Sequence, residues 1–356
     1  MRRSIADRGC RGTAIGYAAG NRGTMRSGRI ILVIIAALLL FASAAAAQPV
    51  PDCRQAKTSA ERAICGNAEL AAADKAMAQA YAVLRAELPP DRQKALLTDQ
   101  RRWIIRRQAA CGDKSEEALA QCLLTQTDAR RRFFAGEGPN GAPGAPRIVP
   151  AMFHETRKGR YEISIEYPEI LTPRGPEATA FNRAARAIAF GKDAVSEYRE
   201  MERPMAAGAE NFYDVDYTIP YLDPRLASVV FTISTFTGGA HPNSARIALL
   251  FDLSGGRALR LADVLVDPKQ AVAEISAMCK AQLEAQAKKD DWELFDNADV
   301  AAVVGEAANW AADKDGVDIL FDPYSVAAYV YGPRECRLSY ADLKRWLKPD
   351  GPLPPH

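Results

Sequence analysis

The sequence predicts a multidomain protein in which a small all-α, disulfide-clamped helical module precedes an α+β domain with a mainly antiparallel sheet. Three observations predict this. Apolar residues recur at steps of three and four as far as residue 134, a Gly- and Pro-rich segment follows at 136–146, and apolar residues then alternate at period two in several runs. A chain of 356 residues with 48% apolar content is long enough for two domains.

The first block of the chain has the features of a secretory signal peptide. After Met25, which is an alternative start, two arginines precede an apolar run at 30–42, and small residues follow up to Ala47. The apolar run has 13 residues, whereas a helix needs about 20 residues to cross a bilayer. We therefore expect residues 1–47 to be a cleaved leader, the mature protein to be periplasmic or secreted, and no stable membrane insertion.

The cysteines also favour an exported protein. Six of them follow the leader, and an even number in an exported chain indicates disulfides. Six cysteines can form three disulfides in 15 different ways. Local spacing favours the pairs Cys53–Cys65, Cys111–Cys122 and Cys279–Cys336. No C-x-x-C pair or cysteine and histidine cluster is present in the sequence, so no zinc site is predicted.

Charge is distributed unevenly along the chain. Residues 48–135 carry 15 basic and 11 acidic residues, a net charge of +4, and residues 136–356 carry 24 basic and 32 acidic residues, a net charge of −8. An acidic domain favours cationic partners through long-range steering. The positive charge of the helical module is too diffuse for nucleic acid, which we exclude as a partner. Ordinary solvated surface is the alternative interpretation of either charge.

The helical module, predicted at 48–135, begins with a short helix that a capping box opens at Thr58 and that leads into Cys65. Helices are then predicted at 67–88, 91–109 and 116–134. Tyr81 and Trp103 lie on the apolar stripes, so we predict that they are core anchors, with a binding role as the alternative. The arginine runs at 101–102, 106–107 and 130–132 are interpreted as solvated helix faces, with anionic glycan or lipid binding as the alternative.

The first module resembles a known family. The run DCRQAKTSAERAICGNAELAAADKAMAQAY, then DQRRWIIRRQAACG and Cys122, is similar to the N-terminal domains of LprI-like lysozyme inhibitors. The resemblance covers about 48–135 and implies an exported module that in some members inhibits lysozyme. The basic balance of this module counts against electrostatic docking onto a lysozyme, because lysozymes are usually basic themselves.

A linker is predicted at 136–150 and a second domain at 151–350, because the composition and the period both change there. Strands are predicted at 160–170, 211–222, 225–239, 244–256, 316–323 and 334–340, and helices at 176–201, 268–287, 298–311 and 341–347. Strands with inserted helices are typical of an α+β domain whose helices cover one face of the sheet.

The second domain also resembles a known family. TGGAHPNSARIALLFDLSGGRALRLADVL and, downstream, GVDILFDPYSVAAYVYGPRECRLSYADLKRWL are similar to the RsiV-like C-terminal family, with a PdaC-like region before it. The resemblance covers about 160–347. It implies kinship with an anti-sigma factor whose outer domain binds lysozyme, and with exported domains attached to peptidoglycan deacetylases. The deacetylase catalytic domain itself is not expected, since nothing in the sequence supplies its metal triad.

The sequence offers little chemistry for catalysis. His241 is the one histidine in a segment of predicted structure, and zinc enzymes normally need two or three. No G-x-S-x-G elbow is present in the sequence, and the DKDGVD run at 313–318 is predicted to be a turn because it lacks the calcium-loop pattern. We therefore predict no catalytic residue, no metal site, no cofactor and no enzymatic activity.

Two motifs are candidates for a binding role. In FTGGAHPN, the glycines and Pro242 predict a hairpin connection, with a contact surface as the alternative. In FDPYSVAAYVYG, the tyrosines are predicted to be core or a recognition surface. The candidate residues are Gly238, Gly239, His241, Asn243, Tyr324 and Tyr329. The resulting hypothesis is a non-enzymatic binding protein for a lysozyme-like muramidase; the alternative is a peptidoglycan-binding envelope protein, and a hydrolase or deacetylase is disfavoured.

Overall fold

A computed structural model describes residues 53–112, 114–137, 142–202 and 210–354. The predicted signal peptide and its cleavage site lie outside the described residues. All described residues belong to one compact unit. Within these ranges, no helix combines the length and the apolar character needed to cross a bilayer.

The N-terminal module is helical, as predicted. Its elements are α1 Ser59–Gly66, α2 Ala68–Glu87, α3 Pro90–Cys111 and α4 Glu116–Ala135. Thr58 and Glu61 form the predicted capping box of α1, and the Asn67 side chain accepts from the backbone N–H of Leu70 to cap α2. Helix α4 ends at Gly136, whose φ of 75° is the left-handed conformation that glycine adopts without strain.

Disulfides close both ends of this small module. Cys53–Cys65 ties the segment before α1 to the helix, and Cys111–Cys122 joins the end of α3 to α4, so both pairs are those that the spacing favours. Tyr81 is only 2% exposed and packs edge-to-face on Phe134, with ring centroids 5.4 Å apart. Tyr81 is therefore a core anchor.

The second part is an α+β fold with two sheets. Its elements are β1 Arg147–Arg157, β2 Tyr161–Thr172, α5 Pro176–Phe190, α6 Ala194–Glu200, β3 Asn211–Leu222, β4 Leu226–Phe236, β5 Asn243–Asp252, β6 Arg257–Ala258, α7 Leu261–Val264, α8 Pro268–Asp290, α9 Val300–Val304, β7 Trp310–Ala312, β8 Gly316–Phe321, β9 Arg334–Ser339 and α10 Tyr340–Leu343. The strands run in the orders β1-β2-β3-β4-β5-β6 and β7-β8-β9. Only the β2–β3 pair is parallel among these strands, so the sheets are mainly antiparallel.

Each sheet has its own helical cover. Helix α5 lies against the larger sheet, where Phe181 packs edge-to-face on Phe251 of β5. Helix α8 lies against β9 of the smaller sheet, and the Cys279–Cys336 disulfide joins the two directly. Each sheet thus packs against its helices to form a buried hydrophobic core.

Strand β1 is absent from the sequence-based prediction, which placed residues 147–150 in the linker. The strand occupies a sheet edge, where Pro150 is tolerated because no neighbour needs its missing N–H. Residues 148–151 are all buried. They therefore lack the period-two alternation by which a half-buried strand is predicted. Residues 138–141 of the predicted linker lie outside the described part of the chain.

Three predicted helices have different bounds in the structure. The helix predicted at 176–201 is divided at Gly191, whose φ is 58°. The helix predicted at 298–311 is only α9, followed by a 3-10 turn and by β7. Trp310 is fully buried, pairs with Ile319 and donates its Nε1–H to the Val304 carbonyl, so tertiary packing overrides the helical pattern. The last helix ends at Leu343, before the predicted residue 347.

A row of arginines on α3 joins the helical module to the larger sheet. Arg102 and Arg106 follow Arg92 by ten and fourteen positions, which places all three on one face of the helix. Their partners are Glu169, Ser164, Asp214 and Asp216 on β2 and β3. The prediction that the arginine runs are solvated helix faces was therefore wrong for Arg102 and Arg106, whose partners come from a distant part of the chain. It was also wrong for Arg107 and Arg130, which are 6% and 8% exposed.

A buried pair of acids lies under this arginine row. Asp99 is 1% exposed and accepts from Arg130, and Glu166 is fully buried. As a carboxylate, Glu166 has no hydrogen-bond donor for either oxygen, and the nearest cation is Arg102 Nη1 at 3.9 Å. Burial, and next the negative charge of Asp99, raise the pKa of Glu166 to about 9. With this pKa, Glu166 is protonated and uncharged at pH 7.

This acid pair predicts a pH dependence of stability. The pKa of Glu166 is about 9 in the folded state against an ordinary value of 4.5, so folding takes up a proton between these values. The free energy of unfolding should therefore fall as pH rises through this window, with a limiting slope of about 1.4 kcal/mol per pH unit. Urea unfolding at pH 5, 7 and 9 measures the slope.

The Glu166→Gln variant should remove most of this slope, because the amide has a similar shape, is uncharged and does not titrate. Glu162→Gln is the matched control, since Glu162 lies on the same strand and is exposed. Wild type and Glu166→Gln with parallel pH profiles would contradict the assignment of a proton to Glu166.

Candidate functional site

The FTGGAHPN segment forms the connection between β4 and β5. The two strands pair antiparallel as far as Thr235 and Asn243, so the segment is a hairpin connection. Gly238 and Gly239 have φ values of 96° and 110°. A side chain would be strained at either position, which explains the two glycines.

A second loop, at 322–333 between β8 and β9, meets this hairpin. The Tyr329 ring stacks on the His241 ring, with centroids 3.7 Å apart and planes 15° apart. The Tyr329 hydroxyl donates to the Pro242 carbonyl at 2.6 Å, and Tyr324 Oη lies 3.3 Å from His241 Nε2. We name His241, Tyr324 and Tyr329 the aromatic surface. The structure thus brings together candidates that stand more than 80 positions apart.

The aromatic surface is accessible at Tyr324, whereas His241 and Tyr329 are half-buried. The Tyr324 side chain is 54% exposed, and the neighbouring Val330 and Tyr331 are 81% and 36% exposed. Asn243 is exposed at the start of β5. Exposed tyrosines beside an apolar side chain are typical of protein interfaces, where ring and hydroxyl both find partners.

Tyr324 is held in a strained backbone conformation. Its φ of 69° is unusual for a bulky residue and costs on the order of 1–3 kcal/mol. The turn around it is fixed by Asp322, whose carbonyl accepts from Ser325 and whose side chain accepts from the Arg246 backbone N–H at 2.8 Å. Strain of this kind is concentrated at binding and catalytic sites.

Arg246, which the sequence-based analysis missed, fastens the two loops together. Its guanidinium donates to the carbonyls of Phe321 and Arg334 at 3.1 and 2.8 Å and pairs with Glu335. The side chain is only 14% exposed. Arg246 lies three residues after the FTGGAHPN motif, and that proximity is a signal by which it could have been predicted as a site residue. Its partners, however, follow some 75 to 89 positions later in the chain.

His241 is occupied by structural contacts. Its Nδ1 lies 2.8 Å from the Pro242 carbonyl, and its Nε2 lies 3.3 Å from Tyr324 Oη. In the described ranges, no group of three or more His, Cys, Asp or Glu side chains is placed to hold a metal ion. The arrangement is suited to binding and orienting the groups of a partner.

The other two candidates lie elsewhere. Tyr81 is in the core of the helical module, and Trp103 is partly buried beside α4, where Arg107 and Arg130 lie 4.7 and 5.5 Å from its ring. Neither belongs to the aromatic surface. Trp103 instead lines a cavity between the helical module and the larger sheet.

Three family profiles match successive parts of the chain. Residues 53–133 match "Lysozyme inhibitor LprI", residues 155–244 match "Deacetylase PdaC", and residues 262–341 match "Protein of unknown function (DUF3298)". The chain thus fuses an LprI-like N-terminal domain to PdaC- and DUF3298-like C-terminal domains. His241 lies in the PdaC-like part and both tyrosines lie in the DUF3298-like part, so the aromatic surface is formed by the two together.

Two solved structures are similar to this chain over part of its length. A DUF3298 family member from Bacteroides fragilis has 17% identity and a TM-score of 0.46, over 57% of this chain and 94% of that chain. A DUF3298 family protein from Pseudomonas aeruginosa has 17% identity and a TM-score of 0.43, over 59% of this chain and 97% of that chain. Among curated proteins, none matches the chain.

The strain at Tyr324 predicts that the glycine variant is more stable than the alanine variant, which is the reverse of the usual order. Both Tyr324→Gly and Tyr324→Ala remove the ring, but only glycine tolerates the positive φ. Tyr324→Gly should be about 1 kcal/mol more stable than Tyr324→Ala in urea unfolding. At the exposed Val330, which lies in a 3-10 turn, the order should be the usual one, with alanine more stable. Equal stability of the two Tyr324 variants would contradict the strain.

Proposed function

We propose that this chain is an exported, non-enzymatic binding protein whose partner is a lysozyme-like muramidase. The observation that carries the proposal is the match of residues 53–133 to the lysozyme inhibitor LprI family. The disulfides and this LprI-like domain indicate an extracytoplasmic protein. Export through cleavage near Ala47 into the periplasm or the medium is part of the proposal.

The contact with the muramidase is assigned to the aromatic surface. Hydrogen bonds already fix His241, Tyr324 and Tyr329, so little side-chain entropy is lost when a partner binds. The arginines Arg102 and Arg106 are engaged by the sheet and are not free to meet a partner. These two arginines are therefore not part of the proposed contact, to which the adjoining domains contribute the exposed Tyr324 ring.

Charge supports the same partner. Residues 136–356 have a net charge of −8, which favours the approach of a basic enzyme. Inhibition would follow if the bound chain covered the carboxylate-lined cleft in which a muramidase holds its glycan.

Binding to immobilised lysozymes of several types tests the proposal. Tyr324→Ala and Tyr329→Ala should each weaken binding about 30-fold, as expected for tyrosines at the centre of an interface. Ile105→Ala is the control, since Ile105 is an exposed apolar residue on α3, outside the aromatic surface. Association should slow as salt rises, because steering is screened. No binding to any lysozyme type at low salt, or unchanged binding by both tyrosine variants, would refute the proposal.

Peptidoglycan is the second candidate partner. The half-exposed Tyr324 ring favours it, because aromatic faces also bind sugars. Sedimentation of the same variants with purified sacculi separates the two candidates, since a muramidase partner needs no glycan. Binding to sacculi that is lost in Tyr324→Ala, without binding to lysozyme, would replace the first candidate by the second.

A further inference from the structure

A cavity of about 360 Å³ lies between the helical module and the larger sheet. Helices α3 and α4 form one wall, and β1 and β3 form the other. The apolar part of the lining comprises Trp103, Phe133, Ile148, Ile219 and Leu222. Its size is at the lower end of the range of small-molecule sites, about 300–1,000 Å³.

One side of the cavity carries a buried guanidinium with unused donors. Arg107 is 6% exposed, and its Nη1 donates to Thr127 Oγ1 at 2.9 Å and lies 3.6 Å from Asp74. Within the described part of the chain, neither Nε nor Nη2 of Arg107 has an acceptor. A buried donor without an acceptor is costly, so these groups point to an acceptor that the chain does not supply.

Tyr217 provides a further donor on the β3 wall. Its hydroxyl makes no hydrogen bond within the described ranges, although the residue lines the cavity and is partly buried. Two carboxylates also line the cavity, and both are paired, Asp99 with Arg130 and Glu137 with Arg131. The acids near an anionic ligand at Arg107 would therefore already have cationic partners, and Tyr217 could donate to the same ligand.

We propose that this cavity binds a small carboxylic acid with an apolar body. The carboxylate accepts from Arg107 and from the Tyr217 hydroxyl, and the hydrocarbon lies on Trp103 and Phe133. A carboxylate matches a guanidinium because it accepts parallel hydrogen bonds and supplies the opposite charge. Arg107 has Asp74 as its one carboxylate within 4 Å, so the cavity side of the guanidinium can accommodate a second anion. The proposal is independent of the muramidase partner.

Calorimetric titration of the full chain with decanoate and with decanol tests the site. Decanoate should bind at least 10-fold more tightly than decanol, which has the same body without the charge. Arg107→Met should weaken decanoate binding about 10-fold and change decanol binding less than twofold. Arg101→Met is the matched control, because Arg101 lies on the same helix, is exposed and does not line the cavity.

Tyr217→Phe serves as the second variant, because it removes only the hydroxyl and does not depend on the folding of Arg107→Met. It should weaken decanoate binding about threefold to 10-fold and leave decanol unchanged. The proposal is overturned by the absence of decanoate binding at millimolar concentration, by equal affinity for decanol, or by unchanged decanoate binding in Tyr217→Phe and in every folded Arg107 variant.

Discussion

The arginine row of α3 meets the carboxylates of β2 and β3, and the relation between the two parts of the chain depends on that contact. Charges buried at such a contact are expensive to dehydrate, and they are stabilised only when each has its partner in place. The buried acids at this contact are Asp99, at 2% side-chain exposure, and Glu166, at 1%, whereas the arginine pairs of the row remain partly exposed. These contacts therefore fix the position of the helical module on the sheet. Both the burial of Glu166, which raises its pKa, and the cavity beside Trp103 depend on that position.

A second arginine has the same role at the aromatic surface. Arg246 on β5 binds the loop that leaves β8, and this holds Tyr324 and Tyr329 against the hairpin that precedes β5. The hairpin belongs to the PdaC-like part and the loop to the DUF3298-like part. Neither part would have this surface alone. The strain at Tyr324 is tolerated because the contacts on both sides of it are made by a packed framework.

Local features were predictable from the sequence, whereas the long-range pairings, apart from the Cys279–Cys336 disulfide, were not. Thr58 and Asn67 mark helix starts by chemistry that acts within three residues, and the cysteine pairs of the helical module close loops of 12 and 11 residues. The hairpin at Gly238 was predictable for the same reason. In contrast, the sequence around an arginine on a helix is the same whether its guanidinium donates to water or to a distant residue such as Asp214. The helical period around Trp310 was likewise overridden by pairing with a strand, and β1 lost its alternation because both of its faces are covered.

The arginine row also changes how the charges of the chain act on a partner. The sequence divides into a module of +4 and a domain of −8. Because the described residues form one compact unit, both sets of charges act on an approaching partner together, and salt screens them beyond about 10 Å. Arg92, Arg102 and Arg106 neutralise acids of the sheet at the junction, so the negative potential is weakened there. The acids outside the junction keep their charge, which leaves them as the source of any steering. A basic partner would thus be drawn to the second domain away from the helical module, and the affinity that follows would depend on the rings it meets there.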